Sequence, residues 1–253
     1  TDYIQLKKEL TSFHGCTRQK TRKFFAGKAF SQTSYYDHLI TGWFLSKKQL
    51  KDTKSRLFGG SSRAILKYGE NPHQVASYLN SPDLERKAKY LVKILHGALS
   101  YNNLADTTAA YKILCELEDY NKSSCVIIKH GNPCGVAIDN KILGAYKKSF
   151  ETDPISAFGG IVAVNQKVDE KLAKRILSVF TEVIIAKSFS PEALKMLSVK
   201  KNIKIVEIKS FDRSLLHTEE IRSVIGGYLV QETSLSKPNE EEFKVVTNRK
   251  PSK

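Results

Sequence analysis

In the segment Lys129-His130-Gly131-Asn132-Pro133-Cys134-Gly135 a cation, an imidazole and a thiol fall within one turn-forming stretch. Four apolar residues, Cys125-Val126-Ile127-Ile128, lead into it. The reactive groups would therefore emerge at the carboxyl end of a buried strand, a common place for sites in α/β proteins. A lysine there can bind or neutralise an anion, and a histidine can exchange a proton near neutral pH. Taken alone, a Lys-His pair ahead of a tight turn is more often surface than machinery.

Three further segments weigh against that bland reading. Leu66-Lys67-Tyr68-Gly69-Glu70-Asn71-Pro72-His73-Gln74 is polar and turn-rich, and Ser100-Tyr101-Asn102-Asn103-Leu104-Ala105-Asp106 precedes a helical pattern, so its Asn and Asp can cap a helix or address a ligand. Thr152-Asp153-Pro154-Ile155-Ser156-Ala157-Phe158-Gly159-Gly160 sets an aromatic ring beside two glycines ahead of a strand-like run. There the backbone can approach a ligand closely and Phe158 can stack on a planar group. Each segment, read singly, is more often a turn than a site.

The elements that must position these groups follow from periodicity. Short runs rich in branched residues, Cys125-Val126-Ile127-Ile128, Gly160-Ile161-Val162-Ala163-Val164, Val183-Ile184-Ile185-Ala186 and Ile203-Lys204-Ile205-Val206, read as buried strands. Between them the spacing predicts helices over residues 106–117, 141–150 and 168–180, and Ser190-Pro191-Glu192 reads as an N-cap with proline at the first helical position. Residues 20–45 carry a broadly helical pattern, and residues 46–62 form a polar, Gly-containing connector. The polar tail over residues 234–253 is expected to be partly mobile. The whole is an α/β alternation without an internal repeat.

Composition narrows the class. With 253 residues, 41% hydrophobic, the chain can build one large core or two smaller ones, and no run of about 18 apolar residues marks a membrane span. A cytoplasmic location is expected, in keeping with Cys16, Cys115, Cys125 and Cys134, which form no CxxC pair. Forty-one basic against 26 acidic residues give a net charge of +15, which favours anionic partners. The lysines are spread along the chain rather than interleaved with aromatics, so a specific nucleic-acid partner is not expected.

Taken together and in order, LKYGENPHQ, ALSYNNLAD, IKHGNPCGVA and TDPISAFGGIVAVN strongly resemble the bifunctional purine biosynthesis family that joins phosphoribosylaminoimidazolecarboxamide formyltransferase to inosine monophosphate (IMP) cyclohydrolase. Weaker echoes lie in Phe25-Ala26-Gly27-Lys28-Ala29-Phe30 through Tyr36-Asp37, in Gly226-Gly227-Tyr228-Leu229-Val230-Gln231 and in Val245-Val246-Thr247-Asn248-Arg249-Lys250-Pro251. The resemblance implies a layered α/β/α, cytidine-deaminase-like transformylase domain, incomplete and preceded by a helical linker segment. Residues 1–46 would be the tail of the cyclohydrolase half, 47–60 a linker, and 61–253 the first part of the transformylase.

By that resemblance the chain takes part in IMP synthesis, transferring formyl from 10-formyltetrahydrofolate to 5-aminoimidazole-4-carboxamide ribonucleotide. The family's catalytic histidine falls on His130, as proton acceptor for the attacking amine, and its neighbouring lysine on Lys129, as stabiliser of charge on the formyl oxygen. The substrate pocket would take Lys67, Tyr68, Asn103, Phe158, Gly159 and Glu182. Lys67 stands where an arginine is common, a point charge in place of a bidentate fork, and Glu182 stands where some relatives have aspartate. The chemistry requires no metal and leaves room for a monovalent cation.

The family's sites lie at a homodimer interface, so a homodimer or a complementing fragment is the expected partner, with no membrane. The residues for ring closure have no counterparts here, nor does the part of the transformylase that supplies an asparagine near the formyl group. An inactive nucleotide-binding or dimerisation remnant is therefore the alternative. A zinc deaminase is a weaker one, since Pro133-Cys134 echoes half of a PCxxC signature whose second cysteine is replaced by Ala137.

Overall fold

A computed structural model of the chain describes residues 2–45, 49, 53–81, 84–234 and 243–250. It divides into two units, Thr1–Ser214 and Leu215–Lys253. In the first, helices α1 (Asp2–Ser12) and α2 (Gln19–Phe44) are followed by a hairpin of β1 (Ser61–Ile65) and β2 (Ser77–Asn80), then by α3 (Glu85–Leu91), β3 (Val92–His96) and α4 (Tyr101–Leu117). The hairpin β4 (Ser123–Lys129) and β5 (Asn132–Asp139) comes next, with α5 (Ile142–Thr152), β6 (Gly160–Val164), β7 (Lys167–Val168) and α6 (Glu170–Leu177) after it. Strands β8 (Thr181–Ala186) and β9 (Ser188–Phe189), helix α7 (Pro191–Ser198) and β10 (Lys204–Ile208) complete the unit. The second unit holds an antiparallel hairpin of β11 (Glu219–Val224) and β12 (Gly227–Glu232). No helix among the described residues is long and apolar enough to cross a membrane.

Helices α1 and α2 are tied together by Glu9, only 7% exposed, whose carboxylate accepts from the Arg18 guanidinium at 2.9 Å, the Arg18 amide at 3.0 Å and the Thr21 hydroxyl at 2.7 Å. Those bonds, the Arg18 side chain's first and then the Thr21 hydroxyl's, hold its pKa at about 2, below the ordinary 4.5. A depressed acid stabilises the folded form fully above its ordinary pKa and loses that contribution as pH falls towards the folded value. The α1–α2 pairing is thus expected to weaken between about pH 4.5 and 2. Amide exchange of α2 measured across that range checks it, and in Glu9→Gln this component of the pH dependence should vanish.

The core is a six-stranded mixed sheet in the order β3-β10-β8-β6-β4-β5. Strands β6, β8 and β10 run parallel, while β4 opposes β6, β5 opposes β4, and β3 opposes β10. Because side chains alternate along a strand, each apolar run feeds both faces. Cys125, Ile127, Val162, Val164, Ile184, Ala186 and Ile205 pack with Ala145 and Tyr146 of α5, Leu172 and Ile176 of α6 and Ala193 and Leu197 of α7. Helix α4 covers the opposite face through Ala110, Tyr111, Leu114 and Cys115, all buried, and packs on β4, β6 and β8. The result is the α/β/α layering that the family resemblance implies.

All four apolar runs form strands, and the Ser190 cap with Pro191 at the first position stands as read, the Ser190 hydroxyl accepting from the Ala193 amide at 3.1 Å. The larger boundary differences fall on two helices. Helix α4 starts at Tyr101 rather than near Asp106, because Ser100 and Asn103 form a reciprocal capping box there. Asp169 caps α6, which releases Val168 to β7 and leaves Phe180 beyond the helix. Pro133, read as part of a loop, lies in β5, which is the edge strand where a missing amide donor is tolerated. Of the expected connector, residues 46–48 and 50–52 lie outside the described residues, as do 235–242 and 251–253 of the expected mobile tail.

Candidate functional site

Strand β4 ends at Lys129, and the chain reverses through His130 and Gly131 into β5, with Lys129 paired to Asn132. A two-residue hairpin loop with positive φ at both positions, here +52° and +75°, is a type I′ turn. Gly131 adopts that conformation freely. For His130 the left-handed region costs about 1–2 kcal/mol, a conformation it shares with His14 and Asn121. Its imidazole is exposed.

Because β4 runs against β6 and β8, its end lies beside their beginnings: Ile128 faces Ile161, and Gly160 faces Thr181. The site is therefore assembled from one strand end and two strand starts, and of the three strands only β4, which bears Lys129 and leads into His130, contributes its carboxyl end. The Lys129 ammonium donates to the Phe158 carbonyl at 2.6 Å. Gly159, at φ +71°, donates its amide to the Phe180 carbonyl at 2.7 Å. A Cβ on Gly159 would stand 2.9 Å from Lys129 Nζ and 3.4 Å from the Phe180 ring, so glycine is what lets the ammonium reach this station.

The loop carrying Phe158 is shaped by Asp153. Hydrogen bonds from the Ser156 side chain and amide hold its carboxyl below the usual carboxylate range, and the Ser156 amide reaches it at 3.0 Å. Phe158 itself is 61% exposed, its ring tilted against that of Phe180 with centroids 5.4 Å apart. A large aromatic surface left open beside a cation suits a planar anionic ligand.

Asn103 and Glu182 come together across the sheet, the Asn103 amide donating to Glu182 Oε2 at 3.0 Å. Asn103 is 3% exposed, and its Oδ1 accepts from the Ser100 amide at 3.3 Å while its backbone amide donates to the Ser100 hydroxyl at 3.2 Å. It acts first as the cap of α4 and as a clasp on Glu182. Lys67 is exposed, with Nζ 5.7 Å from the Tyr68 ring centroid. Their loop joins the site through Glu70, whose carbonyl accepts from Asn102 at 3.2 Å, and it is closed on itself by Gly69-to-Gln74 and Gln74-to-Asn71 backbone bonds.

Two contributors lie outside the residues singled out from sequence: Phe180, in a stretch whose spacing predicts helix, and Asn132, in the turn-forming segment. Asp106, which the sequence offers as a cap or ligand group, reaches past its own helix to accept from the Gly131 amide at 2.6 Å. Cys134 turns its thiol to the Ile127 carbonyl at 3.5 Å, and burial pushes its pKa up, a poor start for a zinc-binding thiolate. Among the described residues no three His, Cys, Asp or Glu side chains are grouped so as to hold a metal ion.

The chain matches the family model described as "AICARFT/IMPCHase bienzyme" over residues 1–253. It is 39% identical over 252 residues to the bifunctional purine biosynthesis protein PurH of Bradyrhizobium diazoefficiens, covering 99% of this chain and 47% of that one. The PurH of a Thermoanaerobacter species is 37% identical over 253 residues, with 99% and 48% covered. The chain thus spans about half the length of the curated relatives it matches. A solved chain described as a formate dehydrogenase accessory protein from Desulfotalea psychrophila has a TM-score of 0.37 at 11% identity over 69% of this chain and 88% of that one, a likeness too slight to carry an argument.

Proposed function

The chain belongs to the AICARFT/IMPCHase bienzyme family, and from that premise we propose that the site at the end of β4 transfers formyl from 10-formyltetrahydrofolate to the 5-amino group of 5-aminoimidazole-4-carboxamide ribonucleotide. The observation that carries the reading is the convergence of segments remote in sequence on one end of the sheet, with the Lys129 ammonium held 2.6 Å from the Phe158 carbonyl beside the His130 turn.

In this reading the amine attacks the formyl carbon, His130 accepts the proton that the amine sheds, and the bond from the formyl carbon to the folate nitrogen breaks as that nitrogen takes up a proton, directly or through water, from the His130 imidazolium. An ammonium has three donors, and the bond to Phe158 uses one of them; the others can stabilise the oxyanion of the tetrahedral intermediate. Lys67 would meet the phosphate, Tyr68 and the Gly159 backbone would line the nucleotide, and Phe158 would lie on the folate or the base. Glu182, oriented by Asn103, would accept from a ribose hydroxyl. No step of ring closure is assigned to the described residues. Residues 61–253 would be the transformylase portion, 47–60 a linker and 1–46 the tail of the other half, in a homodimer in the cytoplasm.

Titration with the aminoimidazole ribonucleotide tests the pocket. At about a hundred times the dissociation constant, binding should add about 2.7 kcal/mol to stability, read as a rise in unfolding midpoint, and Lys67→Met should blunt the rise. No stabilisation by any purine ribonucleotide intermediate would count heavily against the pocket. Formyl transfer is then assayed on the chain alone and with the remainder of a full-length relative supplied in trans. Because the chain spans about half of its relatives, binding without transfer in both conditions would instead favour an inactive nucleotide-binding remnant.

A further inference from the structure

The His130–Gly131 peptide unit is gripped at both of its polar ends. Its carbonyl, that of His130, accepts from the Asn132 side-chain amide at 3.0 Å. Its N–H, that of Gly131, donates to the Asp106 carboxylate at 2.6 Å. In a type I′ turn this central peptide does not enter the ladder, so these two bonds, rather than strand pairing, tie it down. Rotation by half a turn converts type I′ into type II′, which asks for glycine at the first central position, where this chain has His130.

We infer that Asp106 is a positioning residue for His130: its carboxylate, with Asn132 at the opposite end, pins the His130–Gly131 turn to α4 and so fixes the backbone from which the imidazole projects. The inference rests on the role given to His130 above. It assigns Asp106 no contact with substrate.

The placement of Asp106 supports it. The residue sits one turn into α4, a helix anchored to the sheet by Ala110, Leu114 and Cys115 and capped at its start by Ser100 and Asn103. Its carboxylate is thus a fixed acceptor on a rigid element, which is what orienting a catalytic side chain requires. A charge-assisted bond to a backbone amide is also among the stronger kinds. Asp106 therefore links the segment that clasps Glu182 to the turn that bears His130.

The test uses the full chain labelled with 15N and 13C. In the unsubstituted protein the Gly131 amide should be protected from exchange and the His130 side-chain coupling constants should report a single rotamer. Asp106→Ala should speed Gly131 exchange roughly tenfold or more and average the His130 couplings, while Asp106→Asn, which keeps an acceptor oxygen, should restore most of both. Exchange within β6 serves as the folding control and should stay as it was.

In the formyl-transfer assay Asp106→Ala should lower kcat by roughly ten- to a hundredfold with KM for the nucleotide nearly constant, and Asp106→Asn should recover most of it. Gly131 exchange or His130 couplings unmoved by Asp106→Ala would overturn the inference. So would a loss confined to KM, which would place Asp106 against the substrate. His130→Ala with undiminished transfer would remove the functional reading instead, and the exchange result would show that separately.

Discussion

Gly135→Ala is expected to destabilise the protein by about 3 kcal/mol, a fall of roughly 6–12 °C in unfolding midpoint. A Cβ at this position would lie 1.9 Å from the Ser149 carbonyl oxygen and 2.8 Å from its carbon. Those are backbone atoms of α5, so no side chain can swing aside, and the whole helix must lift from β5. Lifting it loosens Ala145, Tyr146 and Ser149, all buried beneath it. Gly27→Ala is the matched control, since it lies within α2 with nothing inside 4 Å of the added atom. There alanine should be neutral or stabilising by up to about 1 kcal/mol. Equal effects at the two positions would mean that the closeness of α5 to β5 is not what requires glycine.

His130→Asn is expected to act in opposite directions on stability and activity. Asn-Gly is the sequence most at ease in a type I′ turn, whereas histidine at φ +52° is strained. Asparagine should therefore stabilise the fold by about 1 kcal/mol. Under the proposed mechanism asparagine cannot accept the proton of the attacking amine, so formyl transfer should fall about 10²- to 10⁴-fold, the usual contribution of a general base. Chemical denaturation reads the first effect and the transfer assay the second. A stability loss would show that the turn itself wants histidine, and retained transfer would dismiss His130 as the base. The opposed signs distinguish a residue kept for chemistry from one kept for folding.

The candidate site was legible in the sequence because its residues sit in local motifs whose chemistry is visible one segment at a time. Lys129 and His130 follow an apolar run, Phe158 and Gly159 precede one, and Ser100 with Asn103 has the spacing of a helix cap. The strands were legible for the same reason, as runs buried on both faces. Strand direction was not. Nothing in Cys125-Val126-Ile127-Ile128 says that β4 opposes β6, yet that reversal is what brings Lys129 to the starts of β6 and β8. Pro133 misled because proline marks turns in general, and its tolerance in β5 depends on that strand lying at the edge of the sheet.

The α/β alternation, the Lys129-His130 pair, the glycines around Phe158 and the resemblance to a family can all be read along the chain, since each is written in neighbouring residues or in the order of short motifs. Which groups meet depends on the fold: Lys129 with the Phe158 carbonyl, Asn103 with Glu182, and Asp106 with the amide behind His130. These contacts join residues 29, 79 and 25 positions apart. Propensity and periodicity act over a few residues, whereas the pairing and direction of strands set distances between remote ones, and a hydrogen bond depends on distance and angle rather than on order along the chain.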